Sequence, residues 1–139
     1  MISTKGRYAL RVMLELARRN TTEYVPLKEI AEKEQISKKY LEIIVKELVG
    51  AKLLKGASGK GGGYMLSKKP EEYSVGEILE STEGSLSIVA CLSKDAEECP
   101  RAAACATLPM WTEFNNMVYD YFYSKKLSDL VSEDEETSK

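Results

Sequence analysis

Residues 25–48 read VPLKEIAEKEQISKKYLEIIVKEL, and their apolar side chains recur at helical spacing in two short blocks. In the first block, Leu27, Ile30 and Ala31 share one helix face. The apolar face of the second block consists of Leu41, Ile44, Val45 and Leu48. A break at residues 34–36 separates the blocks, and Ser37 is a suitable N-cap for the second helix. Two short helices around a tight turn predict a helix-turn-helix motif.

The flanking segments extend this motif. Upstream, a dense apolar stripe from Tyr8 to Ala17 predicts a first helix that ends near Asn20. Downstream, short apolar strands at residues 53–55 and 64–66 enclose a glycine-rich tip, GASGKGGG, at 56–63. Three helices followed by such a hairpin predict a mainly α fold, in which residues 1–70 form a winged helix-turn-helix domain with a β-hairpin wing.

The glycine-rich tip does not match a nucleotide-binding loop. Tyr64 occupies the position of the third glycine in G-x-G-x-x-G, and no Gly-Lys-Ser/Thr follows. Glycines would instead let the hairpin backbone approach a phosphate or the floor of a groove. An inert three-helix domain is the alternative interpretation.

The formal net charge of −2 conceals a strong asymmetry between the halves of the 139-residue chain. Residues 1–70 carry 15 basic and 7 acidic side chains, a net charge of +8, whereas residues 71–139 carry 5 and 15, a net charge of −10. A basic winged domain favours double-stranded DNA as the partner, although solvated helix faces can also be charged. The third helix would enter the major groove with Lys38 and Lys39, and Lys60 of the wing would reach the adjacent backbone or minor groove.

Composition also excludes several classes of site. The chain contains no histidine, which excludes Ser–His and Cys–His nucleophile pairs and histidine-ligated metal sites, so we expect no enzyme. The first residues lack the apolar core of a signal peptide, and no apolar run reaches the roughly 20 residues of a membrane helix. We therefore expect a cytoplasmic protein without a membrane partner.

The acidic half predicts two further helices. Ser74 and Glu77 have capping-box spacing and begin a helix that should run to about Ser81. From Pro109, a longer stripe recurs every three to four residues: Met110, Trp111, Phe114, Met117, Val118, Tyr121 and Phe122. This stripe favours a homodimer interface, the alternative being that it folds back on its own domain. Residues 71–131 are thus predicted to sense and dimerise, and residues 132–139 to form an acidic flexible tail.

Three cysteines lie between these helices with the spacing C-x7-C-x5-C, at Cys91, Cys99 and Cys105. An odd count in a cytoplasmic chain argues against a structural disulfide. Their polar surroundings favour metal binding or thiol redox chemistry over thiols buried in a core. Neither structural zinc nor ferredoxin spacing matches, so spacing alone indicates a soft-metal or redox segment.

Four features together resemble the Rrf2 family of bacterial transcription regulators over nearly the whole chain: STKGRYA at residues 3–9, YLE at 40–42, GGGY at 61–64, and the three cysteines. Within the family, the chain is most similar to regulators that carry an iron–sulfur cluster. The resemblance implies a homodimer that binds a DNA operator as a repressor, has no small-molecule substrate, and controls cluster-assembly genes. It also implies that Cys91, Cys99 and Cys105 hold the cluster, with [2Fe-2S] favoured over [4Fe-4S].

The resemblance also assigns residues at the DNA. Glu42 falls where these regulators have a glutamate that discriminates between bases, and Ser37 and Tyr40 match as well. At the wing, Ser58 stands in place of an arginine that enters the minor groove, and Lys60 is hypothesised to compensate. The DNA-binding residues expected from charge and resemblance together are Ser37, Lys38, Lys39, Tyr40, Glu42, Ser58, Gly59 and Lys60.

The cluster ligands match less completely. Leu108 replaces the histidine that follows the last cysteine and serves as fourth ligand in these regulators. The fourth ligand is therefore unassigned, with an exogenous thiol, water, Asp95, Glu97 and Glu98 as candidates. The same fold could instead serve a cluster-free thiol sensor or a cysteine-metabolism repressor. A module of a different class, for electron transfer, would not require a basic winged domain.

Overall fold

The computed structural model of the chain describes residues 2–20, 22–92, 97 and 104–137. Within these residues the winged half comprises α1 (Thr4–Arg19), α2 (Leu27–Glu34), α3 (Lys38–Gly50), β1 (Leu54–Ala57) and β2 (Gly63–Leu66). The remainder comprises α4 (Val75–Glu83), α5 (Leu108–Ser124) and α6 (Leu127–Thr137), with short 3-10 helices at Pro70–Glu72 and Ala90–Leu92. None of the described helices is both long and apolar enough to cross a membrane.

The ends of the first three helices follow local signals, as predicted. Asn20 terminates α1 and Gln35 terminates α2, each in the left-handed conformation that closes a helix C-terminus. The Ser37 hydroxyl accepts a hydrogen bond from the Tyr40 amide and caps α3. Helix α1 starts earlier than the apolar stripe suggested, because Ser3 caps it at Thr4. The helix-turn-helix is therefore confirmed.

The wing is an antiparallel pair whose register runs from Leu54 opposite Leu66 to Ala57 opposite Gly63. The strands reach further towards the tip than predicted, and the tip shortens to residues 58–62. The reason is a second pairing. Val25 donates to the Tyr64 carbonyl at 2.8 Å and accepts from the Tyr64 amide at 2.9 Å, which holds the start of β2 in an extended conformation.

The main core crosses the boundary predicted at residue 70. Tyr73, Ile78 and Leu127 of the acidic half are fully buried with the apolar faces of α1, α2 and α3. The Tyr73 hydroxyl also donates to the Leu53 carbonyl at 2.7 Å. The division into a DNA-binding and a sensing half remains a prediction about function, because both halves share this core.

Helix α4 runs to Glu83, and both arms of its predicted capping box between Ser74 and Glu77 are formed. The acidic C-terminal segment differs from expectation, since residues predicted as tail from 132 onwards continue α6 as far as Thr137. Leu127 is completely buried, Leu130 and Val131 pack against the main core, and Asp134 lies 3.0 Å from Arg18 of α1. These contacts with α1 stabilise a helix that local sequence did not indicate.

Candidate DNA interface and cysteine segment

Helix α3 buries its predicted apolar face in the core and exposes the opposite face to solvent. The exposed side chains on this helix are Lys38, Lys39, Glu42, Ile43 and Lys46. Ser37 is also exposed, although its hydroxyl is already engaged as the helix cap. The exposed surface therefore carries three lysines around one carboxylate, which suits a nucleic-acid groove.

Tyr40 differs from its predicted neighbours because its ring is half-buried. It packs edge-to-face against Tyr8 of α1, with ring centroids 5.8 Å apart. The Arg11 guanidinium lies over the other ring, 5.1 Å from the centroid of Tyr8, and binds both the carboxylate and the backbone carbonyl of Glu34. Arg11 thus ties α1 to the end of α2, while Tyr8 ties α1 to the first turn of α3. Sequence reasoning missed this role, since nothing local distinguishes Arg11 from other surface arginines.

An open groove of about 530 Å³ separates α3 from the wing. Glu42 and Ser58, far apart in sequence, line opposite sides of this groove, and Lys46 lines it beside Glu42. Sequence reasoning missed Lys46, although its spacing of four residues from Glu42 was a usable signal. Gly59 and Lys60 lie at the exposed tip, where the Gly62 amide donates to the Gly59 carbonyl at 3.0 Å. The structure therefore groups Glu42 with Ser58 and leaves Lys60 at the outer end of the wing.

Two of the three cysteines lie in the described residues. Cys91 is exposed in a short 3-10 helix, and Cys105 is half-buried just before α5. The Cys105 Sγ atom lies 3.5 Å from the Thr107 hydroxyl. Hydrogen bonds with the Thr107 side chain, and then with the amides of Thr107 and Leu108, lower the pKa of the Cys105 thiol. A lowered pKa favours the thiolate, which is the metal-binding and nucleophilic form.

Cys99, Asp95 and Glu98 lie outside the described residues, and Glu97 is exposed in a loop. Within the described part of the chain, no three histidine, cysteine or acidic side chains come together as a metal site. The donors that are described still fit a thiolate-bound cluster in type, because both thiols are accessible and one is shifted towards its thiolate. Leu108, in the first turn of α5, has an aliphatic side chain and supplies no ligand.

The segment that leads to Cys91 is attached to α5 by two polar side chains. The buried Asn115 accepts a hydrogen bond from the Ile88 amide at 3.2 Å, and the Tyr119 hydroxyl accepts one from the Leu86 amide at 3.2 Å. Because Cys105 directly precedes α5, one helix positions both described cysteines. An asparagine within an apolar stripe was the available sequence signal for this attachment.

The apolar stripe predicted on α5 divides into two faces. Trp111, Val118 and Phe122 are half-buried, and Phe122 packs with Val75 and Leu79 of α4. The outer face is between 49% and 60% exposed and consists of Met110, Phe114, Met117 and Tyr121. Their spacing of four, three and four residues is that of a helix–helix seam.

Comparison with known proteins identifies the family to which this chain is similar. Residues 2–133 match the Rrf2 family model, described as an iron-dependent transcriptional regulator. The HTH-type transcriptional regulator IscR of Aliivibrio salmonicida is 32% identical over 134 residues, which cover 96% of this chain and 79% of that protein.

Solved structures show the same similarity. CymR (YrzC), the global cysteine regulator of B. subtilis, is 36% identical with a TM-score of 0.76, covering 95% of this chain and 96% of its own. IscR of T. potens is 29% identical with a TM-score of 0.77, covering 100% of this chain and 91% of its own. The two IscR proteins and CymR are thus comparably similar to this chain.

Proposed function

Because the chain belongs to the Rrf2 family of transcriptional regulators, we propose that it is a cytoplasmic, homodimeric DNA-binding repressor whose operator affinity depends on an iron–sulfur cluster. The fold and relatives are those of DNA-binding regulators and not of enzymes or electron-transfer modules. Cys91, Cys99 and Cys105 would hold the cluster, with [2Fe-2S] favoured and the fourth ligand unassigned. Its target genes would be those of cluster biogenesis.

The cluster proposal rests on the family similarity, and the position of Cys105 supports it: its Sγ atom lies 3.5 Å from the Thr107 hydroxyl, which lowers the pKa of the thiol. A cysteine at neutral pH must lose its proton before it binds iron, and the start of α5 promotes that loss. When bound, a cluster supplies a link between the thiols that responds to iron and oxidants. Asn115 and Tyr119 hold the residues that lead to Cys91 against α5, so a cluster bound to Cys91 would be coupled to that helix.

A contiguous set of contacts leads from α5 to the wing. Directly after α5, the Lys125 backbone carbonyl accepts a hydrogen bond from the Val75 amide at 2.8 Å, and the Leu127 amide donates to the Tyr73 carbonyl at 3.0 Å. The Tyr73 hydroxyl in turn donates to Leu53, next to β1. These contacts give a displacement of α5 a continuous path to the wing.

Dimerisation would follow from the outer face of α5, where Met110, Phe114, Met117 and Tyr121 form an apolar seam. Two copies packed along this seam would present two α3 helices to one duplex, as two-fold symmetric half-sites require.

The decisive experiment is anaerobic purification with visible absorption and quantification of iron and sulfide. We expect a coloured protein with roughly two irons per subunit, as a [2Fe-2S] cluster requires. Cys99→Ser should lose the colour and iron, whereas Ser93→Ala, a control that lies between Cys91 and Cys99 in the sequence, should keep both. Circular dichroism should be unchanged in both variants. Colourless protein with full operator affinity and no response to iron and sulfide would overturn the proposal.

The DNA assignment has a separate test. Replacing Lys38 and Lys39 with alanine should reduce the slope of log affinity against log salt by roughly 2, since each phosphate contact contributes about 0.9. Lys126→Ala is the control, because that exposed lysine lies between α5 and α6. An unchanged slope in the double variant would refute the placement of α3 on DNA.

A second function rests on the 36% identity to the global cysteine regulator of B. subtilis and on Leu108 at the position of the missing histidine. In this alternative the same winged fold is a cluster-free thiol sensor or a repressor of cysteine metabolism. It predicts colourless protein that binds its operator, with an affinity that changes when Cys105 is oxidised or alkylated. The iron and sulfide analysis separates the two functions directly.

A further inference from the structure

Ile43 is an unusual residue in the winged half because its side chain is 48% exposed in the middle of α3. Among the described residues, the other large apolar side chains that are at least 40% exposed all lie on α5: Met110, Phe114, Met117, Tyr121 and Tyr123. The core does not require Ile43, since the buried face of α3 points the other way. An exposed isoleucine in the middle of the helix assigned to DNA is positioned to contact that DNA directly.

The surroundings of Ile43 indicate what that partner is. Lys39 and Lys46 precede and follow it by four and three residues, so the three side chains form one line along the exposed face. The lysines stand about 6 Å and 4.5 Å away along the helix axis. No ion pair engages either lysine within the described part of the chain. An apolar group between two unpaired cations fits a polyanion with an apolar feature, rather than a lipid or an apolar protein surface.

We propose that Ile43 reads the C5 methyl group of a thymine in the major groove, an inference that rests on the proposed DNA-binding function. Among base edges in that groove, the thymine methyl is the apolar feature available to an aliphatic side chain. Isoleucine is branched at Cβ and holds one preferred χ1 rotamer in a helix, so its methyl groups are pre-positioned.

Glu42 extends this inference to neighbouring bases. Its carboxylate lies beside Ile43, about 100° around the helix, and can accept a hydrogen bond from the N4 amino group of cytosine. The carboxylate repels base edges that present only acceptors. Successive residues of α3 therefore select a cytosine and a thymine close together in each half-site.

The test starts by selecting operators from a pool of random duplexes with the 139-residue chain, both as purified anaerobically and after removal of iron. Each thymine of the selected half-site is then replaced by deoxyuridine, which lacks only the C5 methyl group. At one thymine we expect about fourfold weaker binding, the factor equivalent to about 0.8 kcal/mol for one methyl-sized group. For Ile43→Ala, replacing that thymine with deoxyuridine should hardly change the affinity. For Ile43→Val, which keeps the Cβ branch, the same replacement should weaken binding nearly as much as in wild type.

The outcomes are distinguishable. If no duplex is enriched, the proposed DNA-binding function fails and the Ile43 inference fails with it. If operators are enriched but uracil affects wild type and Ile43→Ala equally at every thymine, the inference about Ile43 alone is overturned. A selected half-site with no preferred thymine would also overturn the inference about Ile43 alone. Thermal melting of Ile43→Ala should match wild type, because the residue is exposed and alanine favours helix.

Discussion

Replacing Gly63 with alanine would test how the wing is fixed to the helices. Gly63 has φ of 144°, a conformation that side chains rarely adopt. A Cβ added there would lie 2.8 Å from the Pro26 nitrogen and closer still to the Val25 carbonyl oxygen. Both are backbone atoms and cannot rotate away. Gly63→Ala should therefore separate β2 from the Val25 segment.

The expected cost combines two effects. Forcing alanine into this conformation costs about 1–3 kcal/mol. Losing the two hydrogen bonds between Val25 and Tyr64 costs about 1 kcal/mol each. A total of about 4 kcal/mol in a chain of this size corresponds to a fall in Tm of roughly 12 °C. Operator affinity should also fall, because the wing wall of the groove would move.

Gly61→Ala is the matched control. Gly61 also has positive φ, 80°, but nothing lies within 4 Å of a Cβ added there. That variant should lose only about 1–2 kcal/mol, the cost of a left-handed conformation. Both variants are melted by circular dichroism under identical conditions. Equal Tm values for the two variants would refute the argument that close contact with Val25, rather than local conformation, requires glycine at 63.

Three further predictions concern the acidic half. Phe114→Ala should weaken self-association by 10³-fold or more in sedimentation velocity. About half of a roughly 200 Å² ring is exposed in each of two copies, and burying that area at about 25 cal/mol per Å² stabilises the dimer by about 5 kcal/mol. An unchanged dissociation constant would place the seam elsewhere. Thr107→Val should raise the pKa of Cys105, so that its alkylation rate reaches half-maximum at higher pH than in wild type; identical pH profiles would remove the hydrogen bond as the cause. Asp134→Asn should cost less than about 1 kcal/mol in urea unfolding, with the difference vanishing in high salt, because its ion pair is partly exposed; a salt-independent loss would mean that Asp134 is a packing residue.

The helix-turn-helix was predictable because its signals are local. The Ser37 cap and the apolar spacing of α3 act within a few residues, and the structure contains both. The charge asymmetry between the halves also required no structure, since it depends on composition alone. The cysteine spacing indicated a soft-metal or redox segment, and family resemblance was needed to suggest a cluster.

Other features depended on contacts between distant segments. The exact ends of the wing strands depend on the pairing of Val25 with Tyr64, which no local signal at the glycine-rich tip reveals. The acidic stretch after Leu127 is helical because α1 and the main core receive its apolar side chains. Likewise, periodicity identified the stripe on α5, but only packing against α4 decided that Phe114 stays exposed while Phe122 is half-buried.

The candidate DNA surface shows the same division. Sequence alone determined that α3 has a polar, lysine-rich face, because helical periodicity assigns each residue to a side of the helix. Only the tertiary structure decided that Glu42 and Ser58 line one groove, that Tyr40 is held by Tyr8, and that Ile43 remains uncovered. Local pattern determines which way a side chain points, whereas its neighbours are decided by how the elements pack.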